Sequence, residues 1–437
     1  MKKNIILMVG LMLVSAIFCM PAFALEGKYG PYSYEVKKNG DLKITAFDWN
    51  LYGDEDVYIP KMIDGYSVTE IGDSAFSNAK SKAVAVIIPD TIVTIGEKAF
   101  FETSITTMHI PASVLSIGDG AFAGCKNIRQ FSVDSSNARY AQIDGVLYNK
   151  IDKELVAFPN NNYDFSIPEG IVSIAPYAFY QSNLGIIYPP STLISIGAYA
   201  FKSSKIGGFG IKRNIELSYV INLGENAFED CQCIYNNGSF FYNISLANSQ
   251  ITDIPSNCFK GIRLDNMHYK GTQGIFLPET LLTIGENAFS KCGTVSNLVI
   301  PSSVETIGIS AFSELTYLSQ LSFSHDSALR TINDNAFKGT ILGIDTSTLE
   351  LPEGIETIGK EAFSFKSGLS ELIIPTSVKT IGDNVCDRTR VNIIAEEGSY
   401  AYFWAIENGY TLSHSDDTSW LTDSSEKNQT DTSWLNE

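Results

Sequence analysis

The chain has 437 residues, and its formal charge of −18 comes from few charged side chains, only 18% of the total. A surface this acidic repels nucleic acid and gains nothing from anionic lipid, so both are excluded as partners. Length alone would suggest two or three domains, but internal repetition overrides that prior.

Residues 1–24 read as a secretory signal peptide. Lys2 and Lys3 give a basic start, Ile5 to Met20 is apolar, and Ala22-Phe23-Ala24 is a small-x-small cleavage site. The apolar run is short for a membrane span, and nothing later in the chain is apolar enough to be one. The mature protein is therefore expected outside the cytoplasm, secreted or at the cell surface.

Residues 25–70 are expected to cap the solenoid. Tyr32 to Val36 and Leu42 to Ala46 alternate around Lys37-Lys38-Asn39-Gly40, the pattern of a hairpin. Val57-Tyr58-Ile59-Pro60 is the first repeat-like strand.

Residues 71–390 are built on one motif, Ile-Gly-x-x-Ala-Phe, clearest at residues 284–289. Twelve variants start at Ile71, Ile95, Ile117, Ile174, Ile196, Leu223, Ile254, Ile284, Ile307, Ile332, Ile358 and Ile381. Eight of them carry a proline six residues earlier, with Val, Ile or Leu three past the proline and Ser, Thr or Gly two past it. A short β-rich run precedes each proline, as in Leu298-Val299-Ile300. One unit reads as a strand, a proline stop, a small-residue turn and an irregular return ending in Ala-Phe. A single unit cannot bury its apolar side, whereas stacked copies make one continuous core. Proline cannot donate to a ladder, so it belongs at strand ends.

Two stretches depart from the period. Residues 143–148 and 155–159 read as paired strands of an excursion, and the simpler reading is a longer repeat. Residues 202–278 are irregular, with bulging loops expected at Asn214 to Tyr219 and Arg263 to Gly271. Residues 391–412 read as a C-terminal cap. Ser399 caps a short helix through Asn408, Gly409 ends it, and Tyr402, Phe403, Trp404 and Ile406 cover the core. Residues 413–437 are expected to be a disordered polar tail in which Asp-Thr-Ser-Trp-Leu occurs twice, at Asp417 and Asp431.

The residues Leu369-x-x-Leu372-x-Ile374-Pro375, then Val378-x-x-Ile381-Gly382, with Ala-Phe closing most copies, resemble the BspA-like class of leucine-rich repeat proteins from bacterial surfaces. The resemblance covers about residues 55–410. The fold implied is an α/β-type leucine-rich repeat solenoid, β-dominated. Its short parallel strands stack in one sheet, with irregular or short helical returns, a hairpin-like N-cap and a short helical C-cap. The Asn ladder position of leucine-rich repeats in general falls here on Ser303, Ser377 and Gly170, so no Asn ladder is expected, a trait the BspA-like class shares. The resemblance also implies adhesion to host or bacterial surface proteins.

Catalytic chemistry is not visible. There is no Gly-x-Ser-x-Gly elbow, His-Glu-x-x-His helix or phosphate-cradling loop, and His109, His268, His325 and His414 are scattered. Cys125, Cys231 and Cys292 each lie three residues after a repeat Phe, while Cys258 and Cys386 replace repeat residues. These are core positions, expected to hold free thiols. No enzyme activity, cofactor or metal is expected. The expected partner is a protein or other extracellular macromolecule, met by a monomer. The alternative is a non-catalytic spacer in an envelope assembly.

The expected binding face is the row of strand residues two before each proline, or its equivalent. In order these are Tyr58, Ile87, His109, Ser132, Ser166, Tyr188, Gly210, Ser245, Phe276, Val299, Ser322, Glu350 and Ile373. Tyr58, Ile87, His109, Tyr188, Phe276, Val299 and Ile373 are the candidate contact residues. The export reading predicts that secreted protein begins at Leu25. N-terminal sequencing that finds Met1 or the apolar run would contradict it.

Overall fold

A computed structural model of the protein describes residues 26–51, 55–78, 85–160, 163–234, 241–264, 274–343 and 346–413. The expected signal segment, part of the loop expected near residue 270 and the expected tail from 414 lie outside these residues. The described residues form two compact units, residues 26–151 and 152–413.

In the first unit, strand Glu26–Tyr29 pairs antiparallel with Tyr32–Val36, which pairs antiparallel with Leu42–Phe47. Leu42–Phe47 then runs parallel to Tyr66–Ile71, so the hairpin feeds directly into the coils. Its Tyr32 hydroxyl donates to the Tyr58 carbonyl at 2.9 Å, occupying an edge carbonyl that no earlier coil can reach. Strands Val57–Tyr58, Val86–Ile87, Met108–Ile110 and Phe131–Val133 stack in parallel. Tyr140–Ile143 and Val146–Asn149 form an antiparallel hairpin around Asp144-Gly145.

The second unit repeats the same coil. Strand Thr294–Ile300 shows the logic: Leu298 and Ile300 are buried, Val299 between them is exposed, and Pro301 ends the strand. The return proves more ordered than its sequence suggests. Its Thr-Ile pair is a strand of its own, and Asp253–Ile254, Thr283–Ile284, Thr306–Ile307, Thr331–Ile332, Thr357–Ile358 and Thr380–Ile381 form a second parallel ladder. Two residues are too few for a visible alternation, which is why the ladder was not legible.

The Ala-Phe segment makes a third connection between coils. The Phe289 N–H donates to the Ala311 carbonyl of the next coil at 2.8 Å, Phe312 to Ala336 at 2.8 Å and Phe337 to Ala362 at 2.8 Å. The residue two before each Phe takes a left-handed conformation, with φ of 53° at Asn287 and 59° at Asn335, where Asn is tolerated. This turn aims the Phe ring inward. Phe158, Phe179, Phe201, Phe228, Phe259, Phe289, Phe312, Phe337 and Phe363 form a continuous column with centroids 4.7–5.7 Å apart. In the first unit Phe47, Phe76, Phe100 and Phe122 stack likewise.

A buried carbonyl needs a donor. At several coils the residue three past the Phe supplies one: Thr103 Oγ1 donates to Phe100 O at 2.9 Å and Ser204 Oγ to Phe201 O at 2.7 Å within their own coils, and Cys292 Sγ donates to Phe259 O of the preceding coil at 3.0 Å. The cysteines at this position thus replace a hydroxyl. All six cysteines of the described residues are buried, and none is in a disulfide. Where an Asn ladder is absent, Ser303 Oγ donates to Leu281 O at 2.7 Å and Ser377 Oγ to Ile355 O at 2.8 Å.

The second unit ends on helix Tyr400–Glu407, capped by Ser399, whose side chain accepts from the Tyr402 N–H. Of the aromatic residues expected to cover the core, only Trp404 is buried, with Ala401 and Ala405 beside it; Phe403 and Ile406 face outward. A single helix has one inner face, and Trp404 fills it by stacking on Tyr410 at 5.0 Å. Tyr410 closes the end by donating its hydroxyl to Cys386 O at 2.9 Å.

Phe289→Ala removes a ring held between two neighbours and should destabilise the second unit by about 3–5 kcal/mol, the usual cost of truncating a core Phe. A melting curve that does not move would contradict the assigned column.

Candidate functional site: the exposed strand row

The outward positions of the proline-preceding strands do align. In the first unit Tyr58 pairs with Ile87, and His109 with Ser132; all four are exposed, Tyr58 at 65%. His109 Nδ1 lies 3.0 Å from Ser132 Oγ. Asp134 does not complete a relay, because its carboxylate accepts instead from the Ser136 hydroxyl at 2.6 Å and the Ser136 N–H at 2.8 Å.

In the second unit the row starts with Ser166 beside Tyr188. The pairing of Ile187 with Phe209 puts Gly210 next, and that of Phe209 with Ile215 puts Glu216 after it. Glu216 pairs with Ser245, and Ser245 with Phe276. A bridge between Gly274 and Asn297 brings Val299 beside Phe276, and Val299 pairs with Ser322. Glu350 pairs with Ile373, Ile373 with Ile394, and Ile394 with Ser413. Behind the row, Ile187, Phe209, Ile215, Ile244, Ile275 and Leu298 are all buried. Tyr188 and Val299 are exposed, whereas Phe276 and Ile373 are half-buried.

One row member was missed. Residues 214–219 were expected to bulge as a loop, but Asn214–Glu216 is a strand inserted between those of Phe209 and Ile244. Its signal was present: Ile215 and Leu217 alternate with Glu216 and are both buried. The competing cue was the missing proline. To admit this strand the chain reverses sharply after Phe209, with Gly210 at φ 78° and Lys212 pairing antiparallel to Gly208.

Glu216 is thereby the one carboxylate between two aromatic row residues. Its side chain lies against the bare Cα of Gly210, in space that a Cβ there would contest at 3.0 Å. Burial pushes its carboxyl above the usual range, and a hydrogen bond with the Ser245 side chain opposes that shift. Glu350 is also pushed up, by burial and then by Glu353.

A second exposed column precedes the Thr-Ile ladder. It carries exposed Ile194, Ile221 and Leu282 in the middle coils, then Glu305, Arg330, Glu356 and Lys379. The charged members alternate in sign, and Lys379 Nζ reaches Glu356 Oε2 at 3.0 Å. The large exposed apolar side chains of the second unit lie between Tyr163 and Ile309 and on the terminal helix. Among the described residues there is no cluster of three or more His, Cys, Asp or Glu able to hold a metal ion. None of the described helices is long and apolar enough to cross a membrane.

Comparison with known proteins fits this architecture. Residues 55–162, 149–276, 233–346 and 282–401 match the BspA-type leucine-rich repeat region, and the chain belongs to that family. No curated protein matches the chain. Among solved structures, a leucine-rich cell surface protein from Faecalibacterium prausnitzii is 21% identical, covering 90% of this chain and 100% of its own, at a TM-score of 0.47. A leucine-rich repeat protein from Eubacterium ventriosum is 19% identical, covering 71% and 96%, at 0.45. The pneumococcal vaccine antigen PcpA is 15% identical, covering 90% and 98%, at 0.27.

A carboxyl whose folded pKa is raised favours the folded state at low pH, and that advantage is lost as pH rises through the folded value. Glu216→Gln should therefore raise the melting temperature at neutral pH, with the gain vanishing below about pH 4, where an ordinary carboxylate is protonated in either state. An equal gain at both pH values, or none, would contradict the burial of Glu216.

Proposed function

We propose that this protein acts outside the cell as a surface-associated binding module. In this reading the strand row of the middle coils takes a macromolecular partner in contact between cells or with host surface proteins. The observation that carries this is a row poor in charge on a strongly acidic chain: Tyr188, Phe276, Val299 and Ile373 stand among Ser166, Gly210, Ser245 and Ser322, with Glu216 and Glu350 as its carboxylates. Aligned exposed apolar groups mark interaction sites, and aromatic residues anchor them. β-propensity alone is a weaker account, because the neighbouring column at constant strand geometry turns from Ile and Leu to paired charges after Leu282. Family membership and the leader at residues 1–24 support the extracellular setting. The coils from Glu305 onward, with that charge-paired column, suit the second reading of a spacer that holds the middle coils away from the cell.

Beads carrying the chain without its leader should be retained on at least one surface among immobilised matrix proteins, plasma proteins and whole bacteria. Tyr188→Ala combined with Phe276→Ala should cut retention by about tenfold or more, the loss expected of anchor residues, without unfolding. Equal retention by a folded double variant would move the site off this row, to the irregular loops of residues 202–278.

A further inference from the structure

The inserted strand creates a sequence of chemistry that no other part of the row has. Five successive positions read Tyr188, Gly210, Glu216, Ser245, Phe276: a ring, a gap, a carboxylate, a hydroxyl and a ring. At about 4.8 Å per strand the four steps span roughly 19 Å. We propose that this stretch is a saccharide-binding site that takes an uncharged glycan chain lying along the solenoid axis. The proposal rests on the reading of the row as the partner surface and names the partner's chemistry.

Three features point to a sugar. First, the row neighbours leave the rings open. Tyr188 stands between Ser166 and Gly210, and Phe276 has Ser245 on one side, so no large row side chain covers those ring faces. A pyranose offers a flat face of C–H bonds that stacks on such a ring, as the apolar body of a ligand does on aromatic anchors.

Second, hydrogen-bonding capacity sits between the rings. Glu216 stands between Gly210, whose missing side chain leaves it room, and Ser245, to which its carboxylate is hydrogen-bonded. A carboxylate accepts from two hydroxyls at once, and such charge-assisted bonds are the stronger kind. Asn214 and Asn243 lie two residues earlier on the same strands, paired in register and on the same face, with Asn243 Oδ1 taken by the Gly274 N–H at 3.2 Å and Asn214 Oδ1 buried.

Third, the charge pattern selects against other partners. The five positions contain no Lys or Arg to hold an acidic polymer, and the chain's charge of −18 repels one. One carboxylate, already hydrogen-bonded to Ser245, is too little to hold a basic peptide.

Affinity electrophoresis tests this with the chain lacking only its leader. The gels contain a neutral β-glucan, a mannan or a dextran, with hyaluronan as the anionic control. At least one neutral polysaccharide should retard the protein and hyaluronan should not. Glu216→Gln and Tyr188→Ala should each weaken retardation by about tenfold or more, as loss of one good contact does. Glu216→Gln keeps the side chain's size and removes a half-buried charge, so its loss of binding would not reflect unfolding. Retardation by none of the three neutral polymers, or equal retardation of both variants, overturns the proposal. If no neutral polymer retards the chain yet the Tyr188/Phe276 double variant loses bead adhesion, the saccharide falls and the row stands as a protein surface. If the double variant adheres normally, the row reading falls and the saccharide site with it.

Discussion

Within each unit, most coils depend on a phenylalanine that points into the core while its backbone N–H reaches forward to the next coil. The Phe289 ring lies 5.2 Å from Phe259 and 5.3 Å from Phe312, and its N–H meets Ala311 O at 2.8 Å. That dual use fixes the spacing between coils at both the core and the backbone. The left-handed residue two before each Phe is the local cost, and Asn or Gly at many of these positions keeps it small. Once the spacing is fixed, the two ladders follow. So does the placement of outward side chains in rows.

The repeat made the column legible, because Ala-Phe recurs at a period only stacking explains. Leu298, Val299 and Ile300 made the strand faces legible, because alternation needs only three residues to show. The Thr-Ile ladder was hidden by its two-residue strands. The role of Thr103, Ser204 and Cys292 was hidden as well. Nothing in their sequence shows that they satisfy a Phe carbonyl of their own or the preceding coil.

The same limit explains the site. Most of the row could be counted from the prolines, but Glu216 has no proline after it and is reached by a reversal at Gly210. A rule based on the proline therefore skips this inserted strand. That departure places a carboxylate between Tyr188 and Phe276, flanked by the small residues Gly210 and Ser245. Regular coils supply a rigid frame, and the irregular one supplies distinct chemistry, as loops on rigid scaffolds commonly do.

The account stands or falls on the closed core around the Phe column, and its cysteines report on that core directly. Burial raises the Cys125 thiol to about 11 and the Cys231 and Cys386 thiols to about 12, and raises Cys258 and Cys292 as well. Thiol titration of the chain lacking residues 1–24, with no reductant present, should find no reactive group in the folded protein at mildly alkaline pH. It should find all six after denaturation. Rapid reaction of several thiols in the folded state would contradict the stacked core, and fewer than four after denaturation would mean that bridges, rather than the stacking of Phe and carbonyl, hold the coils together.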